Sequence, residues 1–181
     1  MKDRDAIHWV LITAGVLIAA ASCSDRNRPI DAVQKLPSQI IEGFTMIEST
    51  SGTRAYALTA DSAYLFDEEK RIDVFNPSID FYDDHGVLYS HLVAKTGSIR
   101  TATSDLVART DVVVLTRDST ELRTDSLTWL NSARKVITDS WVRIRSADGD
   151  IQGRGLVSDA RLTKIEIREK VTGTSPYKFG R

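Results

Sequence analysis

Apolar and small residues recur along this chain in a fixed arrangement, about every thirty positions. Leu58, Ala60, Ala63 and Leu65 form the first copy. Leu92, Ala94, Gly97 and Ile99 form the second, and Leu122, Thr124, Leu127 and Trp129 the third. A weaker fourth follows as Ile151, Gly153, Leu156 and Ser158. Each copy has two positions spaced by two, a step of three, then two more spaced by two. Spacing of two keeps side chains on one face of a strand, and the step of three predicts a bulge or sharp bend. Fourteen residues after the first position of each full copy stands another apolar residue: Ile72, Leu106, Val136. Repetition at this length predicts stacked units that cannot bury their apolar faces alone.

The same alternation predicts strands from Ile40 onward. Phe44 and Met46 share a face, as do Tyr56, Leu58 and Ala60. Short strands at Ile72 to Val74 and Ile79 to Phe81 are divided by Asn76-Pro77. Asp111 to Leu115 is β-branched and apolar, Trp141 to Arg145 alternates, and Lys164 to Arg168 is the last strong strand. Asp83 to Gly86 and Ala147 to Asp150 read as turns. Beyond the N-terminal segment no window carries a helical stripe. The pattern therefore predicts an all-β fold dominated by antiparallel hairpins.

Polar pairs fill the three-residue steps: Asp61-Ser62, Lys95-Thr96, Asp125-Ser126 and Arg154-Gly155. They are expected to project outward where the chain bends. The small residues Ala60, Ala63, Ala94, Gly97 and Gly153 either let two sheets pack tightly at a corner or leave room inside. Both readings stay open at this point.

The N-terminus adds a second kind of information. Ile7 to Ala21 is almost continuously apolar. Fifteen helical residues reach roughly 22 Å, short of a hydrocarbon core of roughly 30 Å. That length suits a secretory signal better than a spanning helix. The run ends Ala20-Ala21-Ser22-Cys23, and Cys23 is the chain's one cysteine. Small residues before a cysteine resemble the bacterial lipoprotein processing site, with Ala20 where Leu is usual. Residues 1–22 are thus expected to be a signal peptide and Cys23 a lipidation site; an uncleaved short membrane anchor is the alternative. Residues 23–39 hold Pro29, Pro37 and many polar side chains, and read as a linker. A β domain over 40–173 and a tail over 174–181 complete the division.

Composition excludes more than it assigns. A net charge of −1 argues against a nucleic-acid binder. The chain contains no P-loop, no Gly-x-Gly-x-x-Gly, no Gly-x-Ser-x-Gly elbow and no clustered Cys/His set. Asp83, Asp84 and His85 are adjacent, and adjacent side chains rarely converge on one ion, so a solvated turn is expected there. No catalytic residue, metal site or cofactor is predicted.

The run from Arg54 to Leu65 (RAYALTADSAYL) resembles the first repeat of the LptC family. Val93 to Ile99, Leu122 to Trp129 and Asp148 to Val157 fit the same succession, and Gly149 to Leu156 resembles that family's penultimate strand region. The resemblance covers Gln39 to Gly173 and rests on the order of anchor, linker and repeats. It implies an open, twisted antiparallel β-jellyroll of the OstA-like kind with an apolar interior. It also implies a periplasmic, inner-membrane-anchored protein that binds lipopolysaccharide and is not an enzyme. Such a protein accepts the lipid from an inner-membrane ABC transporter at its N-terminal edge. It passes the lipid to a soluble bridge protein of the same fold at its C-terminal edge. Family members known for this role keep a transmembrane helix, which an acyl anchor on Cys23 would replace.

Repeat phase and alternation select the interior candidates for a lipid groove: Tyr56, Leu58 and Leu65; Ile79 and Phe81; Leu92 and Ile99; Leu122 and Trp129; Val142 and Ile144. All would equally be expected in a closed core, since each buried side chain contributes roughly 1.5–3 kcal/mol. Ile165 and Ile167 mark the expected C-terminal pairing edge. Lys95, Arg100, Arg123, Arg143, Arg145 and Arg154 could meet lipid phosphates at a groove rim, although alternation with Val142 and Ile144 suits a solvated outer face as well. Two other classes compete: a structural or adhesive β-lipoprotein with a closed core, and a secreted hydrolase, which would need polar side chains converging in a pocket.

Overall fold

The computed structural model describes residues 36–50 and 52–174. The expected signal peptide, Cys23, most of the expected linker and the tail beyond Thr174 lie outside the described residues. Eleven antiparallel strands and no helix make up the described chain. They are β1 (Gln39–Thr50), β2 (Thr53–Phe66), β3 (Arg71–Phe75), β4 (Ser78–Tyr82), β5 (Leu88–Val93), β6 (Thr96–Arg100), β7 (Asp105–Thr116), β8 (Glu121–Leu130), β9 (Lys135–Ser146), β10 (Gly149–Asp159) and β11 (Ile165–Thr174).

The long strands are bent, and the register shows where. One half of β2 pairs with β4 and the other with β3. Likewise β7 pairs with β6 through its first half and with β5 through its second. The sheet thus divides into two limbs joined along a line of bends. Asn76-Pro77 and Ala94-Lys95 cross the line between short strands. Arg109/Val112, Thr124/Thr128 and Arg154/Leu156 cross it as register shifts. Gly43, Thr110, Asp111, Gly155 and Lys170 adopt positive φ on this line, the local kink that a bulge requires. The three-residue steps of the sequence repeat are these bends.

Cross-strand pairing explains the repeat's other regularities. Leu58, Ile79, Leu92, Val114, Leu122, Ile144 and Ile151 lie in one row along the first limb. Leu65, Ile72, Ile99, Leu106, Trp129, Val136, Ser158 and Ile165 form a row along the second. The first position of every copy falls on one row and the fourth on the other. The residue fourteen positions on is the partner across the next hairpin, as in Ile99↔Leu106 and Trp129↔Val136. Cross-strand neighbours on a buried face fix this register, because a one-residue slip would turn the row outward.

Hairpin turns at 67–70, 101–104, 131–134 and 160–164 cap the second limb; those at 83–87, 117–120 and 147–148 cap the first. The inward faces of the limbs meet as one buried apolar cluster running from β2 to β10. At the ends, β1 pairs only with β2 and β11 only with β10 among the described residues. Each therefore keeps one unpaired edge.

Candidate functional site

The interior between the limbs is a wedge. At its narrow side, along the bends, the inward residues are small: Ala60, Ala63, Ala94, Gly97, Ala108 and Gly153. The structure decides what they are for. A Cβ on Gly97 would lie 3.1 Å from both the Val107 carbonyl oxygen and Val74 Cγ2. A Cβ on Gly153 would lie 2.5 Å from Ile167 Cγ2 and 2.9 Å from the Glu169 carbonyl oxygen. The space is taken by neighbours, so at these two positions smallness serves close packing.

Outside the bends runs a polar ridge. The Asn76 amide donates to Asp61 at 2.8 Å, and the backbone amide of Lys95 donates to the Thr110 carbonyl at 3.0 Å. The Thr124 hydroxyl donates to the Trp141 carbonyl at 2.8 Å, and Arg168 pairs with Asp139 at 2.9 Å. These bonds satisfy backbone and side-chain groups that the bends take out of the ladders. Asp61, Lys95, Asp125 and Arg154 of the repeat's polar pairs are exposed on this ridge, whereas Gly155, expected to project outward, is buried beneath the Arg168 side chain.

At the wide side, which we term the mouth, the fill is aromatic. Phe81 lies 6.1 Å from Tyr56, 6.5 Å from Tyr89 and 5.1 Å from Trp129, centroid to centroid. The last contact crosses from one limb to the other. Burial raises the Tyr56 phenol well above its ordinary pKa, and the negative charges of Glu48 and Asp105 push the same way. Burial likewise raises Tyr89, against the opposing pull of Arg134 and Arg161. Both rings are therefore neutral at any physiological pH. Ser90, in the same row as Tyr56 and Phe81, is 2% exposed, and its hydroxyl has no partner.

Polar contacts tie the limb tips together over these rings. Arg161 pairs with Asp83 at 3.0 Å, and its guanidinium lies 5.1 Å from the Tyr89 ring centroid. Arg134 donates to the Tyr82 carbonyl at 3.3 Å and stands 3.8 Å from Asp84. The Tyr56 hydroxyl donates to the Ser104 carbonyl at 3.4 Å. Asp83 is held by the backbone amides of His85 and Val87, at 2.9 and 3.0 Å. The Val87 amide does most to keep its carboxyl below its ordinary pKa; desolvation, the next effect in size, opposes it, and the His85 amide and Arg161 add smaller lowering effects. The Asp-Asp-His run is thus a turn whose first carboxylate serves its own backbone. No group of three metal-ligating side chains occurs among the described residues.

The interior candidates all face this wedge. Tyr56, Leu58, Ile79, Phe81, Leu92, Ile99, Leu122, Trp129, Val142 and Ile144 are buried within one cluster; Leu65, near a limb tip, is half-buried against it. Ile151, in the weak fourth copy, is 41% exposed. Its row ends there, since its only further neighbour is Gly173. Ile165 and Ile167 on β11 are half-buried and pack against the cluster. The candidate cations fall elsewhere. Arg123 pairs with Glu121, while Arg143 and Arg145 share Asp150 on the outer face of the first limb. Arg100 pairs with Asp105 at the edge of a hollow of about 710 Å³ on the outer face of the second. Lys95 and Arg154 lie on the ridge. The cations at the mouth, Arg134 and Arg161, sit in turns, where no alternation assigns a face.

Comparison with known proteins follows the same line. A scan of protein families matches residues 7–177 to the family described as "Lipopolysaccharide-assembly, LptC-related". No curated protein sequence matches. Among solved structures, the chain is similar to LptH of Pseudomonas aeruginosa, described as the LptA-homologous periplasmic component of the conserved lipopolysaccharide transport device. The TM-score is 0.54 at 10% identity, over 66% of this chain and 93% of that one. At that identity the likeness is one of fold: the all-antiparallel, jellyroll-like architecture is shared.

Proposed function

This chain belongs to the LptC-related family of lipopolysaccharide assembly, and from that premise we propose that it carries lipopolysaccharide between its two limbs. In this reading its role lies in lipopolysaccharide transport across the cell envelope. The acyl chains occupy the wedge lined by Tyr56, Leu58, Phe81, Leu122 and Trp129. The β1 edge receives the lipid from an inner-membrane ABC transporter, and the β11 edge delivers it to a soluble periplasmic protein of the same fold. The carrier is not itself an enzyme; ATP hydrolysis by the transporter supplies the work. An acyl anchor on Cys23 holds the domain to the inner membrane.

The observation that carries this reading is one apolar interior ending in two strands with unpaired outer edges. A lipid with several acyl chains needs unbroken shielding through water. A strand added at a free edge would extend the same interior into a neighbour. Ile165 and Ile167 pack against the cluster on one such edge strand, where pairing would extend the apolar lining.

Photo-crosslinking tests it in cells. A benzophenone residue at Leu58 or Phe81 is expected to capture lipopolysaccharide, and one at Val171, which is 57% exposed on β11, a periplasmic protein. Protein purified from a Gram-negative membrane should carry lipopolysaccharide detectable by mass spectrometry. Absence of both lipid signals would overturn the reading. Mass spectrometry of the mature N-terminus checks the anchor: a triacylated Cys23 is expected, and an intact residue 1–22 segment would refute it.

One observation favours a second reading. The interior side chains already pack at 0–4% exposure across most of the cluster, as a structural or adhesive lipoprotein with a closed core would require. That protein would give no crosslink from Leu58 or Phe81.

A further inference from the structure

The mouth holds two guanidinium groups whose ion-pair partners are carboxylates of a single short turn. Arg161 meets Asp83 and Arg134 meets Asp84. Both arginines come from turns of the second limb, and both carboxylates from the turn between β4 and β5 on the first. Neither cation is sealed: the Arg134 and Arg161 side chains are 41% and 51% exposed. Tyr89 is buried beneath them, with Arg161 over its ring. A third guanidinium, Arg54, lies 5.1 Å from the Tyr82 ring centroid, beside the carbonyl that receives Arg134.

This arrangement differs from the ion pairs on the outer faces. There, Arg123, Arg143 and Arg145 pair with residues of their own or the adjacent strand in the same limb. At the mouth, each pair spans the opening above the aromatic fill. Any amphiphile whose chains enter the wedge must leave its headgroup at this level, since the bends close the opposite side. Its entry must also part the limbs and so free both guanidiniums. A planar guanidinium binds a phosphate through paired N–H donors, and a phosphate offers more acceptor oxygens than the carboxylate it displaces. Asp84 is 91% exposed and 3.8 Å from Arg134, a loose partner that is easily exchanged.

We propose that Arg134 and Arg161 form a phosphate-binding lip for an amphiphile whose acyl chains lie in the wedge, and that Asp83 and Asp84 occupy this lip when the limbs are closed. The proposal rests on the lipid-carrier reading above and names the part of the headgroup that is recognised. The carboxylates act as an internal competitor, so binding a phosphorylated lipid exchanges one set of charged hydrogen bonds for another.

The test compares three probes on the purified full-length protein: bis-phosphorylated lipid A, the same lipid A after enzymatic dephosphorylation, and inorganic pyrophosphate. The wild type is expected to bind the phosphorylated lipid about tenfold or more tighter than the dephosphorylated one, the scale of charge-assisted hydrogen bonds. In Arg134→Gln/Arg161→Gln that ratio should fall to about 2 or less, while Arg123→Gln on the outer face should keep it. Asp84→Asn, which removes a competitor, should raise it by roughly twofold. Should the double variant fail to fold, Arg161→Lys keeps the charge but loses the planar fork, and is expected to lower the ratio about threefold. A ratio near 1 in the wild type, or one unchanged in the arginine variants, would overturn the lip and leave the carrier reading standing. Binding of neither lipid would overturn both. Pyrophosphate bound as tightly as the phosphorylated lipid would assign the lip to free phosphate and overturn the headgroup assignment.

Discussion

The bend line and the mouth bound the same interior, but they are built differently. Along the bends the inward positions are glycine and alanine, packed against their flanking strands. Gly97 and Gly153 have backbone carbonyls and methyl groups where a side chain would go. At the mouth the limbs stand apart, and Tyr56, Phe81, Tyr89 and Trp129 span the distance. The bends are secured by backbone hydrogen bonds and close packing. The mouth is secured by exposed ion pairs over an aromatic layer. A ladder of backbone bonds opens only with the fold, whereas an exposed ion pair contributes roughly 0–1 kcal/mol. On the carrier reading proposed above, the bend line is the hinge and the mouth the opening.

The largest effect should come from emptying the wide side. Trp129→Ala is expected to lower stability by about 3–5 kcal/mol in urea unfolding, the range for an aromatic truncation that leaves a cavity. A loss below about 1 kcal/mol would mean that the mouth is not a packed layer. Next comes overfilling the narrow side. Gly153→Val should cost about 1–3 kcal/mol or more, with amide exchange accelerated in β11 ahead of β7 and β8. Uniform acceleration would show that β11 is not held through this close approach. Filling the two sides with the wrong volumes thus sharpens the contrast from opposite directions.

Smaller effects should follow from the polar groups of the mouth half. Ser90→Ala removes a buried hydroxyl without a partner, and is expected to raise stability by roughly 1 kcal/mol; destabilisation would reveal a hydrogen bond at that hydroxyl. The smallest effect concerns acid. Asp83 has its carboxyl held below the ordinary value of 3.8, so its contribution is full above that pH and is lost as pH falls through the lower, folded-state value. Asp83→Asn should therefore flatten the acid limb of the stability profile below about pH 4. A variant profile parallel to the wild type's in that window would show that the turn carboxylate contributes nothing to closing the mouth.

Much of the fold was legible in advance because its repeat is one of side-chain direction. Leu92 and Ile99 alternate with polar neighbours, and the polar step at Lys95-Thr96 breaks the alternation where the strand bends. That local pattern marks strand, face and corner together. Ile151 shows the limit: its phase is inward, but its row runs out at Gly173, and its side chain is left 41% exposed. Exposure at the end of a sheet depends on how many strands follow, which no local spacing carries.

The cations show the limit more sharply. Arg143 and Arg145 stand out in the sequence because they alternate with Val142 and Ile144, and the same alternation turns them to the outer face. Arg134 and Arg161 carry no such mark. Each sits in a hairpin turn, and each becomes a mouth residue only because its turn meets a turn 50 or more positions away in sequence, Arg134 at Tyr82 and Arg161 at Asp83.

The sequence by itself therefore determined that this chain is all-β, that its strands bend at the three-residue steps, and which residues face inward. Each of these follows from the two-residue period of a strand and its interruption. Only the tertiary structure decided that Gly97 and Gly153 serve close packing and that aromatic rings layer the mouth. Only the tertiary structure, again, decided which two arginines stand over those rings. Those facts depend on the separation between the limbs, which widens from bend to tip. That separation is set by register across eleven strand pairings, and no stretch of neighbouring residues encodes it.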